Sequence, residues 1–281
     1  MQIIRTIKNL RNAINRTKLK GKTIGFVPTM GALHQGHLSL MRQAVKENDI
    51  VVASIFVNPT QFGPKEDFKK YPRNLKQDAR LCRKVGVDII FYPDIKEMYP
   101  DNCQTYVSVL ELSDCLCGEF RSGHFKGVAT VVAKLFNIVQ PDVAYFGQKD
   151  AQQAIIIKKL VSDLNMPLKI EIMPTVRDKD GLALSSRNVY LNPEERKDAL
   201  ILYRALNLAK DLIRKGDVNS TNIIQRMRQL ISKKKSAKVQ YISIVDLEDL
   251  KPIHKIKDKA LVALAAWIGK TRLIDNIIVK K

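Results

Sequence analysis

At 281 residues the chain is long enough to bury a full core, as one large domain with a smaller one beside it. Hydrophobic residues make up 45% and charged residues 27%, and the longest apolar run, residues 260–268, is strand-sized, which excludes an apparent membrane span. Lysine and arginine outnumber aspartate and glutamate 48 to 28, a net charge of +20, but they are scattered without aromatic interleaving, and this argues against a dedicated nucleic-acid groove. Only Lys233-Lys234-Lys235 forms a tight basic run, and it reads as a solvated helix end. Cys82, Cys103, Cys115 and Cys117 make no C-x-x-C pair, so they are expected to be free thiols in a reducing compartment and not zinc ligands.

The first acidic residue is Glu47, so the N-terminus superficially resembles a transit peptide. Ile3, Ile4, Ile7, Leu10, Ile14 and Leu19 lead almost directly into the next apolar run, however. Residues 2–18 are therefore read as a folded first helix, and the protein as cytoplasmic. Strands are predicted at residues 23–27, 50–57, 89–92, 143–146 and 169–173, with helices between them around 38–48, 74–85, 127–139 and 150–163. This alternation implies a doubly wound α/β domain, a Rossmann-like parallel sheet covered on both faces, over residues 1–175. Beyond residue 176 the pattern changes. Asp180-Gly181 signals a turn between extended segments, and Asn192-Pro193-Glu194-Glu195 caps a helix running to about residue 215. A second helix at 221–233 and strands at 240–245, 260–268 and 271–278 predict a smaller α+β C-terminal domain with an antiparallel sheet, over residues 176–281.

Two of the four histidines, His34 and His37, lie where the first apolar strand turns abruptly into a helix. A helix N-terminus carries unpaired N–H groups and partial positive charge, which suit phosphate, and two imidazoles three residues apart can add hydrogen bonds to it. Gly31 and Gly36 are expected to let a ligand approach the backbone. After the second strand, Pro59 and Gly63-Pro64 build a rigid turn around Gln61, whose amide suits a substrate carrying hydroxyl and carboxylate groups. After the fourth strand, Gly147-Gln148-Lys149-Asp150 opens the helix bearing Gln152 and Gln153. Here Lys149 can act on phosphate, and Asp150 can cap the helix or orient a magnesium-bound water. Leu184-Ser185-Ser186-Arg187 offers two hydroxyls and a guanidinium to a triphosphate.

The His34-Gln35-Gly36-His37 signature resembles that of the nucleotidylyl-transferase superfamily, which implies attack on the α-phosphate of ATP with loss of pyrophosphate. Four motifs in order make the resemblance more specific: Pro28-Thr29-Met30-Gly31-Ala32-Leu33-His34-Gln35-Gly36-His37, Val57-Asn58-Pro59-Thr60-Gln61-Phe62-Gly63-Pro64, Phe146-Gly147-Gln148-Lys149-Asp150 and Leu184-Ser185-Ser186-Arg187-Asn188. Together they are similar to the pantothenate synthetases, the pantoate–β-alanine ligases of coenzyme A biosynthesis. The similarity is strong from about residue 20 to 195 and weaker beyond.

The resemblance implies that pantoate and β-alanine are joined at the expense of ATP and Mg2+ through a pantoyl adenylate, in a homodimer. It implies that Met30 to His37 bind ATP, with His37 as proton donor and His34 as its phosphate-binding partner. Gly147, Gln148, Lys149 and Asp150 would hold ribose and phosphate, and Val176 would contact adenine. Leu184, Ser185, Ser186 and Arg187 would clamp phosphate, where many relatives have methionine at the place of Leu184. Gln61 would contact pantoate and the incoming β-alanine, and Gln153 would contact pantoate. Metal ligands are not indicated. Two other readings stand beside this one: a nucleotidyltransferase that leaves the adenylyl group on its product, and an RNA-binding or tRNA-charging protein drawing on the basic charge. The Gln61 and Gln153 loops and the Ser-Ser-Arg motif count against the first. The lack of an obvious anticodon-binding extension counts against the second.

Overall fold

Between residues 2 and 173, six short apolar strands line up in one all-parallel sheet in a computed structural model that describes residues 1–64 and 66–281. They are β1 (Gln2–Ile4), β2 (Ile24–Thr29), β3 (Ile50–Ile55), β4 (Ile89–Phe91), β5 (Val143–Gly147) and β6 (Lys169–Met173), arranged β1-β4-β3-β2-β5-β6. Side chains alternate across the sheet, and both faces are buried. Phe26, Val52, Phe91 and Phe146 point into one cluster, and Val27, Val51, Ile90 and Tyr145 into another. Helices α1 (Ile7–Lys18), α5 (His124–Val139) and α6 (Ala151–Asp163) cover the first face, and α2 (Gln35–Glu47) and α3 (Leu75–Val85) the second. A short α4 (Ile95–Met98) follows β4. Helix α5 is apolar on almost every side, as expected of a helix packed between sheet and neighbours.

Residues 2–18 depart from the expected single helix. Gln2–Ile4 pair in parallel with Ile89–Phe91 as an edge strand, and α1 starts only at Ile7 behind the N-cap Thr6. A three-residue apolar run has no readable period of its own, so the hydrogen bonds offered by the exposed edge of β4 decide its conformation.

The C-terminal part contains α7 (Pro193–Arg214), α8 (Ser220–Ile231) and the antiparallel sheet β7 (Ala237–Val245), β8 (Lys259–Ile268) and β9 (Thr271–Lys280). Asn192 and Glu195 form the capping box of α7, with Pro193 at its first position. One face of this sheet packs Ile244, Val262 and Leu264 against Leu202, Leu206 and Met227 of the helices. The other face, with Tyr241, Leu261 and Ala263, joins the core beside α5 and α6. All four cysteines are free thiols. Among the described residues no helix is long and apolar enough to cross a membrane.

Candidate active site

β2 and β5 are neighbours in the sheet, yet the chain continues from β2 to β3 on one side and from β5 to β6 on the other. The loops leaving their carboxyl ends therefore diverge and open a crevice, the usual ligand site of such sheets. The His34–His37 turn follows β2 and the Gly147–Asp150 turn follows β5, so the topology alone brings both motifs together. They line one cleft with Met30, Gly36, Gln61, Gln153, Val176, Leu184, Ser185, Ser186 and Arg187.

The histidines are part of the helix cap. His34 is the N-cap of α2, and its Nδ1 accepts from the Gly36 N–H at 3.1 Å. His37 Nδ1 accepts from the His34 N–H at 3.3 Å. A neutral imidazole has one donor and one acceptor nitrogen, so accepting at Nδ1 places the proton on Nε2. Each ring is thereby anchored on the backbone and left with one outward N–H. Burial, then the positive charge of Lys149, lowers the pKa of His34 to about 4. Burial, then His34 and Lys149, holds His37 well below the ordinary histidine value. Both rings are therefore neutral hydrogen-bond donors here, and the fixed positive charge of the cleft comes from elsewhere.

Gly31 and Gly36 serve the protein's own packing. A Cβ on Gly36 would lie 2.9 Å from the His34 ring, and one on Gly31 would lie 2.9 Å from Asp78 Oδ2, at φ +84°. Asp78, buried on α3, accepts from Ala32 N–H at 3.0 Å and from Leu33 N–H at 2.9 Å. These two amides are thus taken by a carboxylate. Gly31, Ala32 and Leu33 do not line the cleft, and neither does Gln35, which is exposed and accepts from Arg42. Asp78 was not legible from the sequence, because a single acidic residue 45 positions from its partner in chain order gives no local signal.

Lys149 reaches the cleft with Asp150, at 3.8 Å, as its one charged partner among the described residues. Its main chain is held from the other sheet: Asn276 on β9 donates to Lys149 O at 2.9 Å and to Gln148 O at 3.0 Å. Gln148 turns away from the cleft and returns a bond to Asn276 Oδ1 at 2.9 Å. Gln152, one position before Gln153, faces inward and ties down the Leu112–Cys117 loop through Leu112 O, Cys115 O and Cys117 N–H.

The Ser-Ser-Arg segment closes the cleft, but its side chains are engaged with protein groups. Ser185 Oγ accepts from Arg187 N–H, Ser186 Oγ donates to Ala32 O, and Arg187 makes a two-pronged pair with Asp67 at 2.9 Å. Gln61 ends a 3-10 turn, Pro59–Gln61, whose first free amide is capped by Asn58. Asn58 also donates to Gln61 Oε1, while Gln61 Nε2 faces Met30 Sδ. Thr175 Oγ1, beside Val176 on the cleft wall, is buried without a hydrogen-bond partner among the described residues and can take one from a ligand. Among the described residues no three His, Cys, Asp or Glu side chains gather as a metal site, and Asp150 is the carboxylate on the cleft wall.

Residues 2–278 match the family model described as pantoate-beta-alanine ligase. A pantothenate synthetase from Caldicellulosiruptor saccharolyticus is 55% identical over 280 residues, spanning 100% of both chains.

The chain belongs to the pantoate–β-alanine ligase family.

A second ligase of the family, from Moorella thermoacetica, is 53% identical over 280 residues, 100% of this chain and 99% of its own. The crystal structure of pantothenate synthetase from Thermus thermophilus superposes with a TM-score of 0.94 at 45% identity, covering 99% of each chain. The ligase from Francisella tularensis, solved with beta-gamma ATP and beta-alanine, matches at TM-score 0.80 and 39% identity over 99% of this chain and 97% of its own.

One measurable property of this ligase follows from its histidines. The native state keeps His34 neutral, and burial beside Arg121 likewise lowers His124 to about 4, whereas an unfolded chain takes up these protons below about pH 6.5. The unfolded state then binds more protons, so stability falls as pH drops from about 6.5 towards 4. Urea unfolding should show a loss of about 2–4 kcal/mol between pH 7 and pH 5. A flat profile over that window would mean that the rings are charged in the native state.

Proposed function

We propose that this cleft joins pantoate to β-alanine through a pantoyl adenylate. The pantoate carboxylate attacks the α-phosphorus of ATP, the bond to the bridging oxygen breaks, and pyrophosphate departs. The β-alanine amine then attacks the acyl carbon, loses a proton, and AMP leaves with the electrons of the C–O bond. The observation that carries this reading is the pair of anchored imidazoles presenting Nε2–H groups at the switch point, opposite a nearly unpaired Lys149. Donors fixed in advance and aimed at developing phosphate charge are an efficient form of electrostatic catalysis.

His37 acts here by hydrogen bonding. Protonating its Nδ1 would set an N–H against the His34 N–H it now accepts from, so the cap itself favours the neutral ring. His34 supports the same phosphate oxygens. Lys149 neutralises the departing pyrophosphate, and Arg187 can join it by exchanging Asp67 for phosphate. Gln61 and Gln153 hold pantoate, and Val176 and Leu184 border the adenine. Mg2+ would be carried largely by the phosphates with Asp150 as its protein carboxylate, and it would neutralise charge on the nucleotide.

The mixed anhydride is sensitive to water, and residues 176–281, which contribute Leu184 to Arg187, serve as a lid domain over the N-terminal ATP- and pantoate-binding domain, residues 1–175. The family resemblance supports a cytoplasmic homodimer. Pyrophosphate release from ATP tests the whole reading. Release should require pantoate, precede any addition of β-alanine, and be followed by pantothenate when β-alanine is supplied. Pyrophosphate release without pantoate, or with retention of the adenylyl group on the final product, would replace this reading with a simple nucleotidyltransfer.

A further inference from the structure

The segment Arg121-Ser122-Gly123-His124-Phe125-Lys126-Gly127 takes no part in the chemistry above, yet it is built against the turn that carries Gln61. Gly123, at φ +75°, admits the chain into α5, and His124 is the first residue of that helix. Gly127 lies one turn further on the same face. A Cβ there would fall 2.3 Å from Thr60 O and 2.7 Å from Gln61 N, so only glycine lets α5 approach the turn this closely. Asn58, which holds the Gln61 amide, also donates to Gly127 O at 3.1 Å.

Both ring nitrogens of His124 are committed to protein groups. Its Nε2 lies 2.8 Å from Arg121 Nη1, and its Nδ1 lies 2.8 Å from Gln61 O. A guanidinium can only donate, so Nε2 accepts and Nδ1–H donates to the Gln61 carbonyl. Arg121 is itself held by two bonds to Glu66, at 2.7 and 2.6 Å, and its Nη2 lies 3.4 Å from Gln61 O. The ring is neutral because burial next to Arg121 disfavours its charge. Both nitrogens are thus committed to protein groups, and the polar link from the ring to the site runs through the Gln61 carbonyl.

We propose that His124 is a positioning residue for pantoate: held by the Arg121–Glu66 pair, it fixes the Gln61 main chain and so aims the Gln61 amide. This rests on the assignment of Gln61 to pantoate. The two amide side chains divide the functions of the ring. Glutamine can reach the Nε2 position and accept from Arg121 but leaves Gln61 O with only the longer contact from Arg121 Nη2, whereas asparagine places an N–H near the Nδ1 position.

In pantoate-dependent pyrophosphate release, His124→Gln should raise the pantoate KM about tenfold, the equivalent of one lost hydrogen bond, with ATP affinity unchanged and kcat altered much less. His124→Asn should restore the KM to within about threefold of the parent, despite losing the Arg121 contact. Gln61→Ala should raise the pantoate KM by itself, and His124→Gln added to it should raise it little further, because residues acting in series are not additive. Thermal unfolding of each variant accompanies the kinetics. If Gln61→Ala leaves the pantoate KM unchanged, the Gln61 assignment fails and the proposal falls with it. If Gln61→Ala is impaired but folded His124→Gln binds pantoate normally, the relay alone is overturned. The relay is also overturned if His124→Asn and His124→Gln are equally impaired, or if only the β-alanine KM moves.

Discussion

Replacing His37 by alanine is expected to slow pantoate-dependent pyrophosphate release by about 10²–10³-fold, the usual effect of removing one fixed donor from a developing oxyanion. The alanine also removes the acceptor for the His34 N–H, so it frays the start of α2 as well as deleting the outward Nε2–H. His37→Asn separates the two effects. Its side-chain oxygen can still take the His34 amide, but nothing replaces Nε2–H. If charge stabilisation is the role of His37, asparagine should be nearly as slow as alanine while melting close to the parent. Single-turnover pyrophosphate release and thermal unfolding give both readings. An asparagine variant at parental speed would reduce His37 to a helix cap.

The second large effect belongs to Lys149 and differs between the two half-reactions. Its nearest carboxylate, Asp150, is 3.8 Å away, whereas the guanidinium of Arg187 is occupied by Asp67. Lys149 is thus the more available positive charge when pyrophosphate leaves. Lys149→Ala should lower adenylate formation by about 10²–10³-fold. Given preformed pantoyl adenylate and β-alanine, the same variant should keep most of its second-step rate. The substitution is a clean one, because Asn276 binds the main-chain carbonyl of residue 149 and holds the turn whatever the side chain. Rapid-quench measurement of each step decides the point, and equal damage to both would assign Lys149 to holding the adenylate as a whole.

Much of this architecture is legible in the sequence, because the doubly buried strands of the parallel sheet stand out as continuous apolar runs between helical patterns. The apolar strands, the helix cap at Asn192 and the antiparallel C-terminal run follow from apolar runs and turn chemistry that act locally. The strand at Gln2–Ile4 did not, since its partner is β4 and its conformation is set by that edge. The same limit governed the site. The positions of His34, Lys149 and Gln61 around one cleft follow from motifs after strand ends, and Ser185 joins them from the segment beyond β6. What each atom does depends on contacts far along the chain: Asp78 taking the Ala32 and Leu33 amides, Asp67 taking Arg187, Asn276 holding the lysine turn. Gly31 and Gly36 show the difference well. Their type suggested room for a ligand; a Cβ would meet Asp78 at Gly31 and the His34 ring at Gly36, and of the two Gly36 is the one that lines the cleft.

With Lys149 in the role proposed above, the hold of Asn276 on its turn ties the C-terminal hairpin to the catalytic apparatus in an unexpected sense. Ile268 pairs with Thr271 across a two-residue connection, and this sets which residue of β9 lies opposite the turn. Strand residues alternate between faces, so inserting or deleting one residue in that connection would offer Asp275 or Ile277 in place of the amide. Neither side chain can donate to the carbonyls of Gln148 and Lys149 as Asn276 does. A length change at residues 269–270, remote from the cleft and in a surface turn where such changes are ordinarily tolerated, should therefore act like an active-site lesion.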